Sequence, residues 1–193
     1  LEWSGHHGEE GNAVVQGVQL AADQINAAGG LRGRQIALIG LDNMSDPVKA
    51  VTLATKLSTQ DKAVAIIGPA KGWIFTPAAS VTSHQEIPNV SPMATDGTAL
   101  LNPDGQLYPY AFRVALSDPA HGAAMARYAA ETVGATRALV LRDDSAIFTN
   151  ELADGFVTTF TEGGGTVVTD AATPPGTDPG TFAASVMGND YDV

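Results

Sequence analysis

Residues 63–91 read AVAIIGPAKGWIFTPAASVTSHQEIPNVS, and this stretch decides the fold class. A short apolar run over 63–67 predicts a strand, and a loop with two glycines and a proline follows at 68–72. We expect a helix over 73–84 and a second short strand over 88–91. This order of elements favours a right-handed unit in which a helix joins two parallel strands.

The same alternation continues upstream of this stretch. Apolar residues at helical spacing predict a helix over 12–28, and the two glycines that follow suit a left-handed helix cap. A strand is expected over 35–41. Asp46 followed by Pro47 then predicts the start of a helix that reaches about Thr59.

An irregular stretch at 93–110, rich in glycine and proline turns, separates this part from a second α/β unit. The elements expected after it are a helix over 119–133, a strand over 137–142, a helix over 148–161, a strand over 166–170, a helix over 181–187 and the start of a strand over 190–193. Apolar strands that alternate with helices are typical of parallel sheets covered on both faces. The sequence therefore predicts an α/β protein with doubly wound parallel sheets.

The composition argues against several classes of partner and site. The 193 residues include 21 acidic and 10 basic side chains, and the formal net charge of −11 repels nucleic acid and anionic membranes. The chain has no cysteine, so disulfides, thiolate zinc sites and a cysteine nucleophile are excluded. No apolar run approaches the roughly 20 residues of a transmembrane helix. No signal-peptide pattern opens the chain, so either no targeting segment exists or it was removed.

Motifs for catalysis or nucleotide binding do not occur in the loops after the predicted strands. The three glycines at 163–165 follow a helix and precede a strand, which is the wrong order for a phosphate loop. The loop at 68–72 has no serine for a nucleophile elbow. We interpret Asp42 and Asp46 as a strand-end residue and a helix cap, and not as a catalytic pair. We expect no enzymatic activity and no cofactor.

One N-terminal cluster has the side chains of a metal site, namely His6, His7, Glu9 and Glu10. Neighbours in sequence seldom converge on one ion without ligands from elsewhere in the fold. We therefore interpret the cluster as a solvated or crevice-lining loop and expect no metal.

The loops after the predicted strands suit the binding of a small anion. Thr95 offers a hydroxyl and a backbone N–H in a turn, and both groups can receive a carboxylate. Gly72 allows a close approach of the backbone, and the N–H groups that open the next helix favour an anion. Trp73 either covers apolar ligand surface or packs in the core. These residues point to a protein that holds a small molecule.

Short motifs over nearly the whole chain fall at the expected points of the alternation. They are Ser4-Gly5, Gly11, AADQINAAGGLRGR at 21–34, Asp46-Pro47, Ala50-Val51, Ile66-Ile67-Gly68-Pro69, Ile87-Pro88, Ser91-Pro92, Ala94-Thr95, Phe112-Arg113, Asp118 and Gly122. The ordered set resembles the periplasmic leucine/isoleucine/valine-binding proteins of ABC importers, which have the type I periplasmic binding protein fold. The resemblance implies two lobes, with 1–120 as most of lobe one without its first strand and 121–193 as the first half of lobe two.

The resemblance also implies ligand-binding positions, which are Glu10, Gly72, Trp73, Met93, Ala94, Thr95, Asp118 and Phe148. It places the ligand carboxylate at Gly72 and Thr95, and an amino group at the Met93 carbonyl and the Thr95 hydroxyl. Gly72, Met93 and Phe148 stand where the leucine-binding type has serine, alanine and tyrosine, and Glu10 stands where it has an aromatic residue. A more apolar wall favours an aromatic or bulky aliphatic ligand.

The function implied by the resemblance is that of an extracytoplasmic solute-binding protein. It captures a small carboxylate-bearing ligand between two lobes and passes it to the membrane permease of an ABC importer. We expect it in the periplasm or outside the cell, with or without a lipid anchor before processing. The alternative is a ligand-sensing domain of a receptor or regulator with the same fold. Both an amino acid and a plain carboxylic acid remain open as ligands.

Overall fold

The structure, a computed structural model, describes residues 1–174, 176–186 and 190–193. The helices are α1 (Gly8–Ala27), α2 (Pro47–Thr59), α3 (Gly72–His84), α4 (Asp118–Arg127), α5 (Ile147–Glu162) and α6 (Pro179–Val186), and a π-helical segment (Tyr128–Val133) continues α4. The strands are β1 (Ile66–Ile67), β2 (Asn89–Ser91), β3 (Ala111–Arg113), β4 (Arg137–Asp143) and β5 (Thr166–Thr173).

The chain divides into two compact units. The first comprises Leu1–Ala94 and Thr98–Ala115 and contains α1 to α3 and β1 to β3. The second comprises Thr95–Gly97 and Leu116–Val193 and contains the remaining elements. All strand pairs within both sheets are parallel, which confirms the predicted α/β class.

The first unit is built around α3. Its strands form a parallel sheet in the order β1, β2, β3. α3 packs against α2 and against β3 through buried side chains, which are Ala50, Ala54, Ile74, Phe75, Ala78, Ala79 and Ala111. Complete burial of a side chain as large as Phe75 contributes about 1.5–3 kcal/mol. This packing holds α3 in place, and α3 begins after the four residues 68–71 that follow β1.

Helix ends in the first unit follow the signals in the sequence. The Asp46 carboxylate caps α2 by accepting the N–H groups of Val48 at 2.7 Å and Lys49 at 3.1 Å. After α1, Gly30 has a positive φ of 79° and donates its N–H to the Ile25 carbonyl at 2.9 Å. Both predicted boundaries are confirmed.

Two glycines allow α4 and α5 to cross closely in the second unit. A Cβ placed on Gly122 would lie 2.0 Å from the carbonyl oxygen of Leu152, and one on Gly155 would lie 2.3 Å from that of Pro119. The parallel pair of β4 and β5 completes the unit. Its core consists of Ala126, Ala129, Ala135, Ala138 and Phe160.

The predicted strand over 35–41 is wrong, because these residues have no regular secondary structure. A strand requires a neighbour for its hydrogen bonds, and no strand among the described residues pairs with this segment. The side chain of Asn26 holds it instead. Its amide oxygen accepts the N–H of Ile36 at 2.7 Å, and its amide nitrogen donates to the Ile36 carbonyl at 2.9 Å.

Other predicted elements differ in extent. The strand over 63–67 is reduced to β1, and β3, which follows the irregular stretch at 93–110, was not predicted. Residues 190–193 form no assigned strand, although the Val193 carbonyl accepts the N–H of Leu139 at 2.8 Å. Met187, the predicted end of the last helix, lies outside the described residues.

We expect Gly122→Ala to destabilise the protein by about 1–3 kcal/mol or more, because the added methyl group meets backbone atoms of α5. Gly17→Ala is the matched control. A Cβ on Gly17 in α1 meets nothing within 4 Å, and alanine is favoured over glycine in helices by roughly 1 kcal/mol. Urea unfolding measures both changes. Equal stability of the two variants would contradict the close crossing of α4 and α5.

Candidate functional site

The candidate site of the first unit is formed by the loops after β1 and β2. Residues 68–71 connect β1 to α3, and residues 92–94 follow β2. The Ser91 hydroxyl joins the loops, since it donates to the Pro69 carbonyl at 2.8 Å and accepts the N–H of Ala94 at 3.1 Å. Ligands of open α/β sheets bind at the carboxyl ends of the strands, which is where both loops begin.

A buried carboxylate fixes the loop before α3. Glu2 is completely buried, and its two carboxylate oxygens accept the backbone N–H of Ala70 at 3.1 and 3.0 Å. A buried carboxylate is costly unless it is hydrogen-bonded, so this contact anchors both partners. Because Glu2 holds Ala70, the position of the next residue, Lys71, is also restrained. Lys71 is the N-cap residue of α3. Sequence patterns give no sign of this contact, because the partners are 68 positions apart.

Lys71 forms an ion pair at the start of α3. Its Nζ lies 2.7 Å from Oε2 of Glu10, and Nδ1 of His7 lies 3.2 Å from the same oxygen. The Lys71 side chain is 25% exposed and that of Glu10 is 44% exposed. The hydrogen bond from Lys71 lowers the pKa of Glu10, which favours the carboxylate form. Lys71 is a candidate functional residue that the sequence motifs did not single out.

Trp73 stands beside this ion pair. It is 54% exposed, and its ring makes an edge contact with the His7 ring at a centroid distance of 6.3 Å. Of the two roles open to it from the sequence, packing in the core is therefore wrong. Met93, on the loop after β2, is 36% exposed. Both residues present apolar surface that a ligand can contact.

Five of the predicted ligand-binding residues belong to the first unit: Glu10, Gly72, Trp73, Met93 and Ala94. Glu10 and Trp73 meet in one cluster, because both contact His7. Gly72 is buried as the first residue of α3. Ala94 is also buried, and its N–H donates a hydrogen bond to the Ser91 hydroxyl. The same hydroxyl donates to the Pro69 carbonyl in the loop after β1.

Of the three predicted ligand-binding residues in the second unit, Thr95 and Asp118 lie together and Phe148 lies on α5. The Thr95 carbonyl accepts the N–H of Asp118 at 2.7 Å, which brings these two residues together. Asp118 is buried as the first residue of α4, and Ser117 caps that helix by accepting the N–H of Ala120. Phe148 is the second residue of α5 and is 51% exposed.

Asp42 ties the N-terminal loop to the first unit. Its carboxylate accepts the N–H groups of Trp3 and Met44, both at 2.9 Å, and the Ser4 hydroxyl at 2.6 Å. Burial by itself would raise the pKa of Asp42, but these hydrogen bonds outweigh it and lower the pKa to about 2. Asp42 therefore has a structural role at the start of the loop that carries His7.

We expect Asp42→Asn to lower stability near neutral pH and to have less effect in acid. The pKa of about 2 in the fold lies below the ordinary value of 3.8, so the ionised carboxylate stabilises the fold above about pH 4. This contribution is lost as the pH falls through about 2. Unfolding of both proteins at about pH 7, 4 and 2 measures it. A stability difference that stays constant with pH would contradict this role.

Neither a metal centre nor a membrane-spanning helix is found among the residues that the structure describes. No three His, Asp or Glu side chains there are placed to share one metal ion, and Glu10 of the N-terminal cluster is paired with Lys71 and His7 instead. None of the described helices has the length and apolar character needed to cross a bilayer.

Comparison with known proteins identifies the relatives of this chain. Residues 2–193 match the model of a family described as periplasmic binding protein. The Leu/Ile/Val-binding protein BraC3 of Rhizobium johnstonii is 29% identical over 188 residues, which are 95% of this chain and 48% of that protein. The branched-chain amino acid transporter substrate binding protein LivJ of Streptococcus pneumoniae, solved with isoleucine, has a TM-score of 0.74 and 30% identity. That alignment covers 99% of this chain and 53% of LivJ.

A relative solved with a different ligand has a similar fold. The solute binding protein of an ABC transporter from R. palustris, in complex with benzoate, has a TM-score of 0.66 and 26% identity, and the alignment covers 95% of this chain and 49% of that chain. The chain spans about half the length of BraC3, of LivJ and of the R. palustris protein. It belongs to the periplasmic binding protein family and has the type I fold of these substrate-binding proteins.

Proposed function

We propose that the full-length protein is an extracytoplasmic solute-binding protein that captures an amino acid and delivers it unchanged to the permease of an ABC importer. One observation carries the proposal. The start of α3 combines a lysine, Lys71, with an exposed tryptophan, Trp73. A positive charge beside an apolar ring matches a ligand that has a carboxylate and an apolar side chain. The names of BraC3 and LivJ, and the isoleucine bound to LivJ, support an amino acid.

The ligand carboxylate is proposed to bind at the first turn of α3. The first N–H groups of an α-helix have no partner within the helix, and the helix dipole adds partial positive charge there. Lys71 adds a full positive charge at this turn. Gly72 provides no hydroxyl, and the loss of one such hydrogen bond costs on the order of 1 kcal/mol, so carboxylate binding is retained.

The apolar part of the ligand is proposed to contact Trp73 and Met93. Burial of their exposed surface contributes roughly 25 cal/mol per Å². A tryptophan and a flexible methionine favour a bulky aliphatic or aromatic group. Benzoate in the R. palustris relative shows that one such protein holds an aromatic carboxylate.

In the second unit, Thr95 is proposed to receive a carboxylate through its hydroxyl and its N–H, and Phe148 to contact apolar ligand surface. The bond from the Asp118 N–H to the Thr95 carbonyl holds the turn in which Thr95 lies. Asp118 is therefore proposed to position Thr95. In the first unit, the Met93 carbonyl is proposed to accept a hydrogen bond from the ligand amino group.

Native mass spectrometry of the full-length protein tests the proposal directly. The protein is measured as purified and after addition of leucine, isoleucine, phenylalanine, benzoate and 3-phenylpropanoate. We expect a mass increase equal to that of at least one amino acid, with the ligand recovered unchanged. The absence of any added mass, or the conversion of a bound carboxylate into a product, would contradict the proposal.

We expect Thr95→Ala to weaken ligand binding by roughly 1–3 kcal/mol, which is about 5- to 150-fold in Kd. The cause is the loss of a hydroxyl donor to a charged carboxylate. Thr98→Ala, at an exposed threonine three positions along, is the matched control and should leave Kd unchanged. Isothermal titration calorimetry measures both variants. If the two variants bind the ligand with equal affinity, the carboxylate does not bind at Thr95.

A further inference from the structure

We propose that the ion pair between Lys71 and Glu10 makes the protein select zwitterionic amino acids over plain carboxylates. This inference rests on the proposed function, because it assumes that a carboxylate binds at the start of α3. It assigns a specificity role to two residues of the first unit, and it names the charge state of the ligand.

The geometry of the pair allows it to respond to a ligand. Nζ of Lys71 lies 2.7 Å from Oε2 of Glu10, so each charge already has a partner. Both side chains are partly exposed, and the exposed ring of Trp73 lies in the same cluster through its contact with His7. A ligand that contacts Trp73 and the start of α3 therefore lies next to one positive and one negative group.

The two classes of ligand differ in the charge that they bring to this pair. A zwitterion has no net charge, and it can place its carboxylate beside Lys71 and its ammonium group beside Glu10, so that all four charges have partners. A plain carboxylate competes with Glu10 for Lys71 and leaves one negative charge without a partner. A charge that loses water without gaining a partner is costly. The pair therefore disfavours the plain carboxylate.

The N-terminal cluster holds two other titratable side chains, His7 and Glu9, and His7 contacts the pair. Nδ1 of His7 lies 3.2 Å from the Glu10 carboxylate, and a protonated His7 would offset the negative charge that a plain carboxylate adds. Glu9 is exposed beside Glu10 in the first turn of α1.

The test compares Kd for matched pairs of ligands that differ only in the amino group. The pairs are leucine with 4-methylpentanoate and phenylalanine with 3-phenylpropanoate, and each is titrated into the full-length protein by calorimetry. We expect the wild type to prefer the amino acid. Glu10→Gln should reduce that preference about two- to fivefold, the effect of roughly one partly exposed charge pair, chiefly because the plain carboxylate binds more tightly.

Glu9→Gln is the matched control, because it removes the same charge one position away and should leave the preference unchanged. Lys71→Gln is the second variant, and it should weaken both members of each pair. An unchanged preference in Glu10→Gln, or an equal shift in Glu9→Gln, would overturn the inference and leave the proposed function intact. Failure of every ligand to bind the wild type would instead overturn the proposed function, and the inference with it.

Discussion

The buried contact between the Glu2 carboxylate and the Ala70 N–H is the interaction on which the candidate site of the first unit depends. It anchors the loop that leaves β1 at the residue before Lys71. Loss of this hydrogen bond would destabilise the fold, since a buried carboxylate without its donor is costly. The Ser91 hydroxyl also holds this loop, because it donates a hydrogen bond to the Pro69 carbonyl. The start of α3 is thus fixed before any ligand arrives, and a rigid site loses less entropy on binding.

The positive charge of Lys71 at the start of α3 is balanced within the first unit. Lys71 is a cation at the N-terminus of a helix, a position that the helix dipole disfavours, and Glu10 on α1 compensates for it at 2.7 Å. The same arrangement keeps a positive group close to where a carboxylate is proposed to bind. Trp73 supplies the neighbouring apolar surface. Stability of the first unit and the proposed selection of a ligand therefore involve the same few side chains.

The sequence predicted those features that have local causes. Asp46 and Pro47 marked the start of α2 because capping depends only on the next few residues. The strand over 35–41 failed because a strand also needs a neighbour, and the Asn26 side chain replaces that neighbour. Positions such as Phe148 came from the family resemblance. The roles of Glu2 and Lys71 were not predicted, because their partners lie 68 and 61 positions away in the chain and no pattern of neighbouring residues marks such pairs.

A ligand carboxylate is proposed to bind at the first turn of α3. The most direct measurement is a titration of the isotope-labelled full-length protein with leucine, followed through the backbone amide signals in NMR spectra. We expect the amide signals of Gly72 and Trp73 to shift, since their N–H groups open the helix. Binding of leucine with shifts confined to residues remote from this turn would contradict it.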